Sequence, residues 1–157
     1  MAGAALVEEG ISSGEPFRIF SDSVYNGNRT LLGFVGAVGS GQPYLHIKTN
    51  VGGSANVMVK FEYDGYTYSD LNVHNSVTFY TYNGASSPYQ PSLVNWGESG
   101  SGIVNYYYSS DDYVVIVVHT SAQYTGGFLY GQTGRSHYKL DMDILAYSSS
   151  GSNSGVY

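Results

Sequence analysis

An all-β sandwich or jelly roll of about eight or more antiparallel strands is the fold this sequence predicts, on three observations. Short runs rich in Val, Ile, Thr, Tyr and Phe recur at roughly 8–12-residue spacing, separated by Gly, Ser, Asn and Asp. Several of these runs alternate apolar and polar residues with a period of two, and no window carries a helical period of useful length. The composition points the same way: 157 residues hold 17 Tyr, 21 Gly and no Cys. Tyrosine offers a large, stiff contact area with a hydroxyl at low entropic cost, which suits a β-rich binding or structural surface.

The strands follow from the N-terminus. Residues 1–14 are Ala-, Gly-, Glu- and Ser-rich and weakly patterned, and read as an arm before a single domain over 15–147. Phe17-Arg18-Ile19-Phe20 begins the first strand, and Asn26-Gly27-Asn28 supplies the positive φ values of a hairpin turn into Thr30–Val38. Gly33, Gly36 and Gly39 loosen that strand or mark a bulge. In Tyr44–Lys48, Leu45 and Ile47 face inward and Tyr44, His46 and Lys48 the other way. In Val57–Tyr63, Val57, Val59, Phe61 and Tyr63 share one face, Met58, Lys60 and Glu62 the other. Asp64-Gly65 then reads as a hairpin tip before Tyr66–Ser69. Val77–Tyr82 is a strand, Ser86–Ser92 an irregular loop with two prolines, and Leu93–Trp96 a short return strand.

Ile103–Tyr108 leads through Ser109-Ser110-Asp111-Asp112 into Tyr113–His119, whose Val114–Val118 stretch is apolar on both faces. Such a run belongs in the centre of a structure, covered on both sides. Tyr138–Leu145 alternates, with Tyr138, Leu140, Met142 and Ile144 inward. Residues 148–157 are Ser/Gly-rich and read as a flexible tail.

Charge narrows the function classes. Only 11% of residues are charged and the formal net charge is −6, so the surface bonds mainly through Ser, Thr, Asn and Tyr. Six Lys and Arg against twelve Asp and Glu, without a basic cluster, cannot neutralise a run of phosphates, and nucleic acid is not the expected partner. No stretch has membrane-spanning length, and the start, Met1 to Glu9, has no basic segment of the kind that opens a signal peptide. Absence of Cys removes disulfides, thiolate metal sites and a Cys nucleophile together.

Catalytic signals are weak. His46, His74, His119 and His137 show no ligand spacing and read as surface, loop or strand-end residues, so neither a metal nor a cofactor is expected. Asp111-Asp112 reads as a turn. Asp141 and Asp143 share a strand face about 7 Å apart, within the range glycosidases use, and read as a solvated face. No nucleophile-elbow pattern occurs, and no catalytic residue is assigned.

The aromatic set carries the functional expectation. Tyr66 and Tyr68 flank the predicted hairpin tip, and Tyr89 lies in the Pro-bracketed loop with Trp96 close behind. Rings at the ends of a sandwich can stack on apolar sugar faces while Asn and Asp take the hydroxyls, so these four are the candidate ligand-binding residues. Other tyrosines are expected in the core or at subunit interfaces.

Four segments, Tyr44–Asn50, Asn56–Tyr66, Tyr106–Ile116 and His137–Leu145, together resemble C-terminal regions of phage structural proteins, especially tail fibres of marine and cyanobacterial phages. The likeness is one of strand pattern over about 100 residues and brings no catalytic signature or portable binding residues. It implies a virion module, assembled in the host cytoplasm and commonly trimeric, that contacts other virion proteins and either binds a host-surface glycan or decorates the particle. The Ala-rich start departs from a fibre with a long shaft. A purely structural capsid or tail decoration protein and a small glycan-active hydrolase on the same scaffold are the alternative expectations.

Overall fold

The four-stranded half of the molecule is organised around Val114–Val118, as the uninterrupted β-branched run demands. The structure, a computed structural model, describes residues 17–19, 29–36, 43–67, 72–83, 85, 87–96, 102–120, 125–134 and 140–152. Every element among them is a strand: β1 (Phe17–Ile19), β2 (Thr30–Gly36), β3 (Tyr44–Gly52), β4 (Met58–Tyr66), β5 (Val73–Tyr80), β6 (Tyr89–Trp96), β7 (Gly102–Tyr108), β8 (Tyr113–His119), β9 (Gly126–Thr133) and β10 (Met142–Ser148). They form a six-stranded sheet, ordered β1-β2-β9-β4-β5-β6, and a four-stranded sheet, ordered β10-β3-β8-β7. All pairings are antiparallel. β2 pairs with β9 in one sheet and β3 with β8 in the other, so the successive strands β2–β3 and β8–β9 lie side by side, antiparallel, in both sheets.

One apolar core lies between the sheets. Val57, Val59, Phe61 and Tyr63 of the β4 segment, Val77 and Phe79 of β5 and Leu129 of β9 meet Leu45 and Ile47 of β3 and Val114, Ile116 and Val118 of β8. The predicted alternation of β3 and β4 is observed, and the hydrophobic effect explains it: each of these side chains is removed from water almost completely. Val115 and Val117 point to the opposite side of β8 and are equally buried. Tyr44, Val104, Tyr107 and Leu145 cover them in a smaller second cluster. The segment after β10 lies over the same surface, where Asn105 Nδ2 donates to Gly151 O at 2.7 Å.

Four local expectations are corrected. Asp64-Gly65 is not a hairpin tip: β4 runs straight through to Tyr66, with Gly65 paired to Gly127 on one side and Val73 on the other. Glycine is present there because a Cβ would meet the Gly126 carbonyl oxygen at 2.4 Å, a demand of close strand approach and not of a turn. Tyr89 is not in a loop but opens β6, which accepts Pro91 because it is an edge strand with a register irregularity between Thr78 and Tyr80 of its partner. β9 lies centrally in the six-stranded sheet where no strand was expected. Finally His46 is no surface residue; it is fully buried. Of the predicted flexible tail, Ser148 belongs to β10, and Ser150 and Gly151 pack on the outward side of the four-stranded sheet. The predicted turn at Asn26-Gly27-Asn28, the 1–14 arm, Tyr138 and His137 lie outside the described residues.

Candidate functional site

Antiparallel register sets which side chains share the outward face of the six-stranded sheet. Directly opposed residues point the same way, so Phe34 on β2, Phe128 on β9, Asp64 on β4 and His74 on β5 form one row across it. The next position along the sheet holds Gly126 opposite Tyr66. Phe34 and Phe128 meet edge to face, with centroids 5.3 Å apart at 66°. A Cβ at Gly126 would stand 3.0 Å from Tyr66 Oη and 3.1 Å from Phe34 Cζ, so both rings close over that glycine. Phe128 is 44% and Tyr66 50% exposed. The result is a three-ring platform at one end of the sheet, which soluble surfaces do not need for stability.

Polar groups border it. Asp64 carboxylate oxygens stand 3.8 Å from Arg29 Nη2 and 3.8 Å from His74 Nδ1. Arg29 donates from Nε to Glu62 Oε2 at 2.7 Å, and its guanidinium lies 3.5 Å over the Tyr130 ring. Lys60 Nζ donates to Glu62 Oε1 at 2.7 Å. Burial works against ionisation of Glu62, and the Lys60 and Arg29 hydrogen bonds outweigh it, so its carboxyl is held below the usual range. Asp64, more than half exposed, is the carboxylate of this group left open to solvent.

No family model, curated protein or solved structure matches the chain. The likeness to phage fibre regions therefore rests on strand pattern alone.

Of the four sequence candidates, Tyr66 and Tyr89 lie apart. Tyr66 joins the platform, and Trp96 ends β6 opposite His74 in the Asp64 row, although its side chain lies outside the described groups, as does all of Tyr68. Tyr89 opens β6 opposite Tyr80, at the far end of the sheet, since Tyr80 pairs with Met58 and Tyr66 is eight residues further along β4. That separates Tyr66 from Tyr89 by roughly 25 Å at the usual rise of a strand. Tyr89 heads a second ring group: Tyr82 lies 6.1 Å from Tyr80 and 6.2 Å from Tyr89. Phe34 and Phe128 escaped sequence reasoning because β9 did. The signal was there in Phe128-Leu129-Tyr130, an alternating triplet hidden by three flanking glycines.

The paired acids Asp111-Asp112 and Asp141/Asp143 are engaged locally. Asp111 binds Lys48 Nζ and accepts from Ser109 Oγ at 2.6 Å, and the Lys48 hydrogen bond is the main reason its pKa is lowered. With Asp112, Asn50 and Ser54 it borders a shallow open hollow beside the β7–β8 turn. Asp141 Oδ1 accepts from the Met142 N–H at 2.9 Å, and Asp143 stands opposite Lys48 on β10. Among the described residues no three His, Asp or Glu side chains gather as a metal site would require.

Proposed function

We propose that the protein is a non-enzymatic adhesion module of virion type, holding a host-surface glycan on the outward face of its six-stranded sheet. The observation that carries this reading is the convergence of Phe34, Tyr66 and Phe128 over Gly126 beside Asp64, Arg29 and His74. Sugar rings present apolar C–H faces and a rim of hydroxyls. Exposed aromatic faces take the first, and a solvent-open carboxylate flanked by donors takes the second. Stacking on a ring contributes on the order of 1 kcal/mol, so one site binds weakly, as suits attachment by many copies on a particle. Low charge and the lack of disulfides fit a chain that relies on packing and association outside a cell.

A glycan array tests it, with wild type compared to Phe128→Ala and Tyr66→Ala and melting temperatures measured in parallel. Both side chains are about half exposed, so both variants should stay folded and lose glycan binding at least five-fold. Folded variants that bind as wild type does would move the site elsewhere, and turnover of the bound glycan would reopen the hydrolase alternative.

A further inference from the structure

The four edge strands differ in what they offer a neighbour. β1 has only three residues and β10 carries Asp143, features of the kind that blunt an edge against pairing. β7 is uncharged, but Asn75 on β5 bonds both backbone groups of Ile103, so that position is already taken. β6, Tyr89–Trp96, has eight residues, none of them charged, on a chain of net charge −6. It ends the six-stranded order with its far side unpaired among the described residues. A row of backbone donors and acceptors along such an edge is a template for another strand.

The side chains point the same way. Leu93 sits opposite the fully buried Val77, on the inward face, yet is 39% exposed, because the second sheet is two strands narrower than the first. Val94, on the outward face, is 39% exposed and Tyr89 52%. Apolar groups thus lie open on both faces of one edge strand. A single added strand carrying Leu and Val at matching positions would cover both. β6 itself has that composition, and an uncharged strand meets its own copy without like-charge repulsion. Pro91 lies at the register irregularity, which leaves Ser92–Trp96 as the stretch with a regular ladder on its inner side.

We infer that β6 strands of two copies pair antiparallel about a two-fold axis, joining two six-stranded sheets into one. Opposed residues in an antiparallel pair point to the same face, so the axis runs normal to the sheet. Both ring platforms then face the same side. Seven strand spacings of about 4.8 Å separate one β9 from the other, roughly 34 Å across the joined sheet. A dimer so built can engage two glycan units of one surface at once, and overall affinity rises well above that of either site. This last consequence rests on the glycan reading; the pairing of β6 does not.

Light scattering coupled to gel filtration, at high micromolar concentration, tests the pairing on wild type, Leu93→Lys, Val94→Lys and Phe128→Ala. Wild type and Phe128→Ala should have twice the chain mass of 16.9 kDa, and the two Lys variants the single mass with cooperative melting retained. A wild-type monomer, a trimer, or a dimer untouched by both Lys substitutions overturns the inference; so does a monomer that takes up only foreign extended peptides. Amide exchange on wild type gives a second readout that needs no variant. Protection of Leu93–Trp96 should rise with protein concentration, and concentration-independent exchange there overturns the pairing. A dimer that binds no glycan condemns the platform alone, and a monomer that binds it condemns the edge alone.

Discussion

The Asn75 side chain accepts a hydrogen bond from the Ile103 N–H at 3.0 Å and donates one to the Ile103 carbonyl at 3.1 Å. Asn75 belongs to β5 of the six-stranded sheet and Ile103 to β7 of the other, so one amide does between sheets what a neighbouring strand does within one. Gly102, just before, has φ near +80°, and a Cβ there would stand 2.7 Å from the Asn75 amide. Turn conformation and close approach both require glycine at that position.

Replacing Asn75 by Leu should therefore cost about 2–4 kcal/mol in urea unfolding, because two buried backbone groups lose partners while their desolvation remains. Asn75→Asp keeps the acceptor but buries a carboxylate against the Ile103 carbonyl oxygen, and should cost at least as much. A loss under about 0.5 kcal/mol for the Leu variant would show that Ile103 is satisfied by other means.

Tyr63 and Gly127 form a second tight pair. A Cβ on Gly127 would lie 2.4 Å from Tyr63 Cζ, and the fully buried ring has nowhere to move. Gly127→Ala should thus destabilise by about 1–3 kcal/mol. The Tyr63 hydroxyl has no hydrogen-bond partner among the described residues, and burial pushes its pKa far above that of an ordinary phenol. Removing it as Tyr63→Phe should leave stability unchanged or raise it by up to about 1 kcal/mol. A marked loss in Tyr63→Phe would reveal a bound water or partner at that oxygen.

Acid should weaken the packing of the outward side of the four-stranded sheet. His46 Nδ1 meets Tyr107 Oη at 2.9 Å and Nε2 meets Ser150 O at 2.9 Å, an arrangement that a neutral ring donating from Nε2 satisfies. Burial lowers its pKa from 6.5, opposed in part by the Ser150 bond. The unfolded chain then takes up this proton at higher pH than the folded one, so the stabilisation is complete above about pH 6.5 and is lost as pH falls toward the folded value. Glu62 and Asp111, both held low, titrate in a separate window below their ordinary values of 4.5 and 3.8. Melting temperatures between pH 7 and pH 5 should fall in wild type and stay flatter in His46→Gln, at a lower starting value. Parallel profiles would assign the acid sensitivity elsewhere.

Faces were legible in the sequence where they are a local property. Successive side chains of a strand point to opposite sides, so Leu45 and Ile47, or Val59, Phe61 and Tyr63, declare their buried face from spacing alone. The same holds for Val114–Val118, whose lack of alternation announces cover on both sides, and for the Asp111-Asp112 turn, where Asp112 has φ 66°. The exposure of Tyr66 and Tyr89 was readable too, but not their separation.

What local pattern could not carry was anything set by another strand. Gly65, Gly127 and Gly131 look like breaks, yet each sits inside a strand because a backbone or side chain from elsewhere fills the space of its missing Cβ: the Gly126 carbonyl, Tyr63, and Leu32 with Leu140. β9 stayed hidden for that reason, and with it the meeting of Phe34, Phe128 and Tyr66. His46 alternates like a solvent-facing residue and is buried because Tyr107, 61 positions away, and Ser150, 104 positions away, lie against it. The all-β fold and its buried faces were therefore determined by the sequence through the two-residue period of a strand. The ring platform and the open β6 edge were decided by strand order, and the buried histidine by that order together with the segment after β10, because a contact between distant segments leaves no periodic trace in either.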